Sequence, residues 1–254
     1  MWLGLLIMLT TTLGASAKDE PWPTAGDLSV GDTFKYPILG TQKGEMRPTQ
    51  AAVGAMAVRV KAEKFDKMGK DELKEALEKE PIPVVAGPDG NFYMIDHHHQ
   101  ALAAHKAGRE NAYYLFYKDY TKLPDMNEFW SRMKKNHWVR EFDHQGLPIQ
   151  IPEGLPTSLL KLRDDPFRSL AWFVRRAGGY RKTAVEFAEF QWADFFRTRI
   201  SLENTKEGFQ KATREGEAMA HTDAARGLPG WTPKTVDCSS CFDPEPRSLD
   251  RGAR

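Results

Sequence analysis

At 254 residues the chain has room for one large domain or two small ones. Its 36 basic and 35 acidic side chains leave a formal charge of +1, so global charge offers no argument for nucleic acid or for an acidic substrate. Beyond the first few residues no apolar run approaches the roughly 20 residues that a membrane helix needs.

Residues 1–17 contain no charged side chain, and an apolar core at residues 2–8 leads to Ala15-Ser16-Ala17, a small-x-small step just before Lys18. That pattern predicts a cleaved signal peptide and export to the periplasm or outside a bacterial cell. A buried N-terminal helix or an uncleaved anchor are the competing readings. Residues 18–42 are rich in Pro, Gly and Asp and read as an exposed leader. Residues 44–50 are extended and Pro-marked, and the partial alternation of Val53, Met56, Val58 and Val60 predicts a strand over 53–60. Leu73, Ala76 and Leu77 share a helical face in 66–80, which Pro81 ends.

The stretch from 81 to 108 holds the most chemistry. An apolar run at 82–86, the turn residues Gly87, Pro88, Asp89 and Gly90, and a second short strand at 92–95 predict a hairpin. Asp96 stands where an N-cap belongs, three histidines (His97, His98, His99) follow, and an alanine-rich helix runs to a natural stop at Gly108. A helix start attracts anions, because its first N–H groups lack partners and the dipole is positive there.

Farther on, residues 112–118 read as an aromatic strand buried on both faces, and a helix opened by Pro124 carries Phe129, Trp130 and Met133 at core spacing. A strand is expected at 139–142, then helices at 155–162, 166–177 and 183–200 whose aromatic residues are core rather than a ligand box. Residues 201–254 read as a loosely packed tail holding Cys238 and Cys241, which would form a local disulfide after export.

Met46-Arg47-Pro48-Thr49-Gln50, Pro83-Val84-Val85 and Tyr93-Met94-Ile95-Asp96-His97-His98-His99, followed by the helix to Gly108, resemble the ParB/sulfiredoxin superfamily, and within it the exported ParB-like nuclease group. The resemblance implies an α+β fold: a small mixed ParB/sulfiredoxin-like sheet with helices, extended by a helical C-terminal part, over residues 43–200. It also implies that the box at the helix start cradles phosphate through backbone N–H groups, a His and an Arg. His98 and His99 fall on the family's paired histidines and Asp96 on its Asp, whereas His97 replaces a Gly and Gln100 an Arg. Gln cannot supply the fixed, bidentate charge of an Arg, so either Arg47 or Lys106 stands in or nucleotide affinity is low. Gln100→Arg is then expected to restore a phosphate partner. A sulfiredoxin would carry its reactive Cys where His98 stands, which removes that activity. A kinase branch of the superfamily uses a Glu near the first strand as base, and Glu45 is the acidic residue there.

The expected function is therefore an exported protein binding a phosphate-bearing small molecule or nucleic acid at the Asp-His-His-His box, acting as a nuclease or phosphoesterase. His98 and His99 would be acid or base and Glu45 would orient the nucleophile; Arg47, Asp96, His97 and Gln100 would contact the ligand. A non-catalytic binding module and a small-molecule kinase are the alternatives, and export argues against a nucleoside triphosphate substrate. Successive helical residues diverge by about 100°, so the three histidines do not predict a metal site. A divalent metal stays open as cofactor without a ligand set to name.

Overall fold

The computed structural model describes residues 22–42 and 44–233. Its centre is a six-stranded mixed sheet in the order β1-β7-β5-β6-β3-β2, formed by β1 (Thr33–Pro37), β2 (Gly40–Thr41), β3 (Gly44–Pro48), β5 (Ile82–Ala86), β6 (Phe92–Met94) and β7 (Asn111–Asp119). β5 and β6 make the expected antiparallel hairpin, while β3 runs parallel to β6 with Arg47 opposite Tyr93. A separate parallel pair joins β4 (Ala52–Val53) to β8 (Arg163–Asp164) across more than a hundred residues of chain.

Side-chain alternation sorts the sheet into two faces. Met46, Val84, Phe92, Met94, Tyr114 and Phe116 point to one side. There they meet α1 (Ala55–Lys67), α2 (Lys70–Lys79) and α3 (His98–Lys106). Val85, Tyr93 and Tyr120 point to the other and pack on Phe129, Trp130 and Met133 of α4 (Met126–Lys135). Asp125 starts α4 by accepting the N–H groups of Asn127 and Glu128. A third apolar cluster joins α5 (Pro166–Arg176), α6 (Ala188–Arg197) and α7 (Lys206–Ala220) around Leu170, Val174, Trp192 and Phe196.

Several expectations change. Residues 33–37 are a sheet strand rather than leader: Phe34 and Tyr36 face the core with Lys35 between them, an alternation too short to stand out. The segment 53–60 is mostly helix, because Val58, Ala62 and Phe65 recur at i, i+4 and i+7 on the buried side of α1. β7 buries Ala112, Tyr114 and Phe116 on one face and leaves the other partly open. Residues 139–142 form no strand, only a single bridge from Phe142 to Pro148. The helix expected at 155–162 is reduced to one 3-10 turn, Leu159–Lys161, and that expected at 183–200 to α6. The expected loose tail supplies α7, whose Gly216 approaches α5 so closely that a Cβ would lie 2.6 Å from Val174 Cγ2. The signal segment, Cys238 and Cys241 lie outside the described residues. Among the described residues no helix is long and apolar enough to cross a membrane.

Candidate functional site

β6 ends at Met94, and three residues, Ile95, Asp96 and His97, lead the chain into α3 at His98. The N-cap is His97, not Asp96: His97 adopts φ 61°, ψ 21° and its side chain makes no capping bond. The Asp96 carboxylate instead accepts from the N–H of His97 at 2.6 Å and projects into solvent. No residue caps the helix, so the amides of His98, His99 and Gln100 have no partner among the described residues. Three donors therefore converge on one point at the positive end of the dipole.

His98 and His99 serve the scaffold. His98 Nε2 accepts from the amide of Thr49 at 3.1 Å, and His99 Nε2 accepts from the amide of Gly54 at 2.9 Å. Both rings are thereby fixed as neutral acceptors toward the backbone. Burial pushes the His98 imidazole down to about 4, despite the opposing charge of Asp96. Burial, then the charges of Arg168, His98 and Lys61, push His99 well below its ordinary value. His97 differs: its Nδ1 has no partner and its Nε2 lies 3.9 Å from Asp96 Oδ2.

Gln100 is also structural. It is buried, its Nε2 donates to the carbonyl of Glu80 at 2.6 Å, and its Oε1 accepts from Lys61 Nζ at 3.0 Å. The bridge ties α3 to the end of α2 and holds a lysine beside the box. Desolvation lowers the Lys61 ammonium to about 8, against the charge of Glu80.

Glu45 and Arg47 do not join this group. They pair with each other and sit on the α4 face, Arg47 beside Tyr93 and Trp130 along a cavity of about 240 Å3. The Glu45 amide donates to Asn91 before β6 begins, so Glu45 sits four strand residues, about 13 Å, from Thr49 at the box end of β3. Lys106 is at the far end of α3.

Besides Lys61, a cation acts on the box from α5. Pro166 occupies the first turn of that helix, and Asp165 caps it through the amides of Phe167 and Arg168. The start of α5 is pressed against Gly54, where a Cβ would lie 2.5 Å from Ser169 Oγ, and Ser169 Oγ accepts from the Ala57 amide. This junction carries Arg168 to the region of His99 and Asp96. Desolvation works to raise the Asp96 carboxyl, but His97, His98 and Arg168 hold it low. Arg168 is 8% exposed; Nη2 lies 3.5 Å from Glu189, while Nε and Nη1 have no hydrogen-bond partner among the described residues. Its guanidinium lies over the Phe190 ring, 5.2 Å from the centroid. Arg175 pairs with the same Glu189 at 3.2 Å. Burial would raise the Glu189 carboxyl, and the two arginines outweigh that and lower it. Pro166 marked the helix in the sequence, but nothing local distinguished Arg168 from the other arginines of α5. Among the described residues no group of three or more His, Cys, Asp or Glu could hold a metal ion.

The family profile described as "Putative ParB-like nuclease" matches residues 41–198. Among solved structures, protein Atu1540 from Agrobacterium tumefaciens is 37% identical, with a TM-score of 0.69 over 80% of this chain and 98% of that one. The C-terminally truncated chromosome-partitioning protein ParB from Caulobacter crescentus, complexed with CTP-gamma-S, matches at 12% identity and a TM-score of 0.28. That match spans 77% of this chain and 95% of that one, and carries no argument at such a score. No curated protein matches.

Proposed function

The chain belongs to the ParB-like nuclease family of the ParB/sulfiredoxin superfamily, and from that premise we propose that it binds a phosphate-bearing ligand at the start of α3. The observation that carries this reading is the run of three unpartnered amides (His98, His99 and Gln100) in a box whose Asp96 and His99 feel the charge of Arg168, a buried arginine with two unpartnered nitrogens. An anion with several acceptor oxygens suits such a set of donors, and a guanidinium retains its charge at any physiological pH. Lys61, held by Gln100, adds a second cation nearby. The imidazoles of His98 and His99 position backbone rather than ligand in this reading, and Glu45 and Arg47 take no part.

Calorimetry with inorganic phosphate, mononucleotides and short oligonucleotides, with and without magnesium, tests it. Saturable binding by the intact chain, weakened roughly ten- to a hundredfold in Arg168→Met, is the expected result. Binding of none of these, with the fold intact by circular dichroism, would overturn it. Export belongs to the same proposal: the mature protein recovered from its host should begin at Lys18, and a mature N-terminus at Met1 would remove it.

A further inference from the structure

Gln100 joins two groups of different chemistry. Its own N–H is one of the three unpartnered amides at the start of α3, and its side-chain Oε1 accepts from Lys61 Nζ at 3.0 Å. The amine and the free amides therefore stand one glutamine side chain and one hydrogen bond apart. The Cα–Cβ bonds of a helix tilt toward its N-terminus, so that side chain sets out from α3 in the direction of the amides. Electrostatics agree with this placement. Beyond the effect of burial, the charge of Lys61 contributes to lowering the His99 imidazole, and that of Asp96 is felt at Lys61.

The surroundings of Lys61 suit a nucleophile better than a surface cation. The residue remains partly exposed, yet Nζ lies 5.7 Å from the centroid of the Phe65 ring of α1, and its hydrogen bond goes to a neutral amide oxygen. Desolvation lowers the ammonium to about 8; Glu80 and Asp96 oppose the fall, and Lys182 and Lys64 add to it. Near neutral pH the free-amine fraction is thereby roughly two orders of magnitude above that of an ordinary lysine. Desolvation beside other cations is how a lysine becomes a nucleophile toward carbonyl carbon.

Resting on the phosphate-binding reading above, we propose that the box captures a small phosphate-bearing aldehyde or ketone, its phosphate on the amides at the start of α3 and its carbonyl carbon bound to Lys61 Nζ as an imine. The Lys61 lone pair forms the new C–N bond. The carbonyl oxygen leaves with the two amine hydrogens as one water, and no oxidant or reductant takes part. Gln100 holds the amine in place until the bond forms. A phosphate anchored on the amides keeps the carbonyl close to the amine, so an aldehyde without phosphate reacts there less well.

The test incubates the full chain with pyridoxal phosphate or with pyridoxal, reduces any imine with borohydride and maps the adduct by peptide mass spectrometry. Pyridoxal phosphate is expected to mark Lys61 first, at concentrations roughly ten- to a hundredfold below those that pyridoxal needs, and inorganic phosphate should compete. Lys61→Arg keeps a donor and a positive charge but cannot form the imine, so that adduct should vanish with the fold intact by circular dichroism. Adducts on other lysines with Lys61 unmarked would overturn the proposal, as would equal marking of Lys61 by the two aldehydes. Calorimetry of the wild-type chain with inorganic phosphate separates the two readings. Phosphate bound by a chain whose Lys61 forms no imine would overturn this inference alone, whereas failure to bind phosphate would overturn both.

Discussion

The two faces of the central sheet divide what the sequence presents as one motif. On the α3 face, uncapped amides, Arg168 and Lys61 gather at the box with only partial countercharge. On the α4 face, Arg47 and Glu45 neutralise each other beside Tyr93 and Trp130. The pleat makes the difference: Met46 points into the α3 core, so its neighbours Glu45 and Arg47 must point the other way. Nearness along a strand therefore says little about membership of a site. Parity and the far partner decide it.

The contrast breaks most readily at Arg168. Arg168→Met leaves Glu189 with Arg175 alone, so a loss of about 3 kcal/mol is expected in chemical denaturation. Phosphate affinity should fall roughly ten- to a hundredfold, as for losing a charge-assisted hydrogen bond. A variant that binds as tightly as wild type would place the cation elsewhere.

Acid should reveal the buried histidines next. Folded His98 sits at about 4, and an unfolded imidazole titrates near 6.5. Between those values the unfolded chain binds more protons, so stability present above about pH 6.5 is lost as pH falls toward 4, by at most about 3 kcal/mol. His99 acts in the same direction. Thermal melts across that window measure the slope. His98→Gln keeps an acceptor for the Thr49 amide and should flatten it, and an unchanged slope would assign the effect to other groups.

Gln100→Arg now has the opposite expectation to the one its motif suggested. The change breaks the hydrogen bonds to the Glu80 carbonyl and Lys61, costing about 2 kcal/mol, with no gain in phosphate affinity. Tighter binding in calorimetry would show that Gln100 faces the ligand. The smallest effect is expected on the other face. Arg47→Met removes a pair whose members are 28% and 50% exposed, so it should cost under about 1 kcal/mol and leave phosphate binding unchanged. A drop in affinity matching that of Arg168→Met would abolish the distinction between the faces.

What could be read from the chain beforehand followed local rules. The hairpin of β5 and β6 was legible from a turn between two apolar runs, the end of α3 from Gly108, and the start of α5 from Pro166. The turn from β6 into a helix at the histidines is also legible, although Asp96, which reads as the N-cap, yields that place to the left-handed His97. The missing parts depend on partners far away in sequence. β1 makes sense only against β7, and α7 only against Val174. Gly54 lies within the segment that reads as a strand, and its close partner Ser169 is more than a hundred residues away. Arg168 reaches the box through that same junction, and the bonds that tie up His98 and His99 come from Thr49 and Gly54.

The parallel pair of β4 with β8 sets an order in time. Ala52 waits for Arg163, and the Ala55 amide waits for the Asp164 carboxylate, which it meets at 2.8 Å. A ribosome working from the N-terminus completes α3 long before it makes residues 164–189. Until then a nascent chain holds the box amides but neither Arg168 nor Glu189. The box is thus complete only late in synthesis, and a chain stopped short of Arg168 lacks that fixed guanidinium charge.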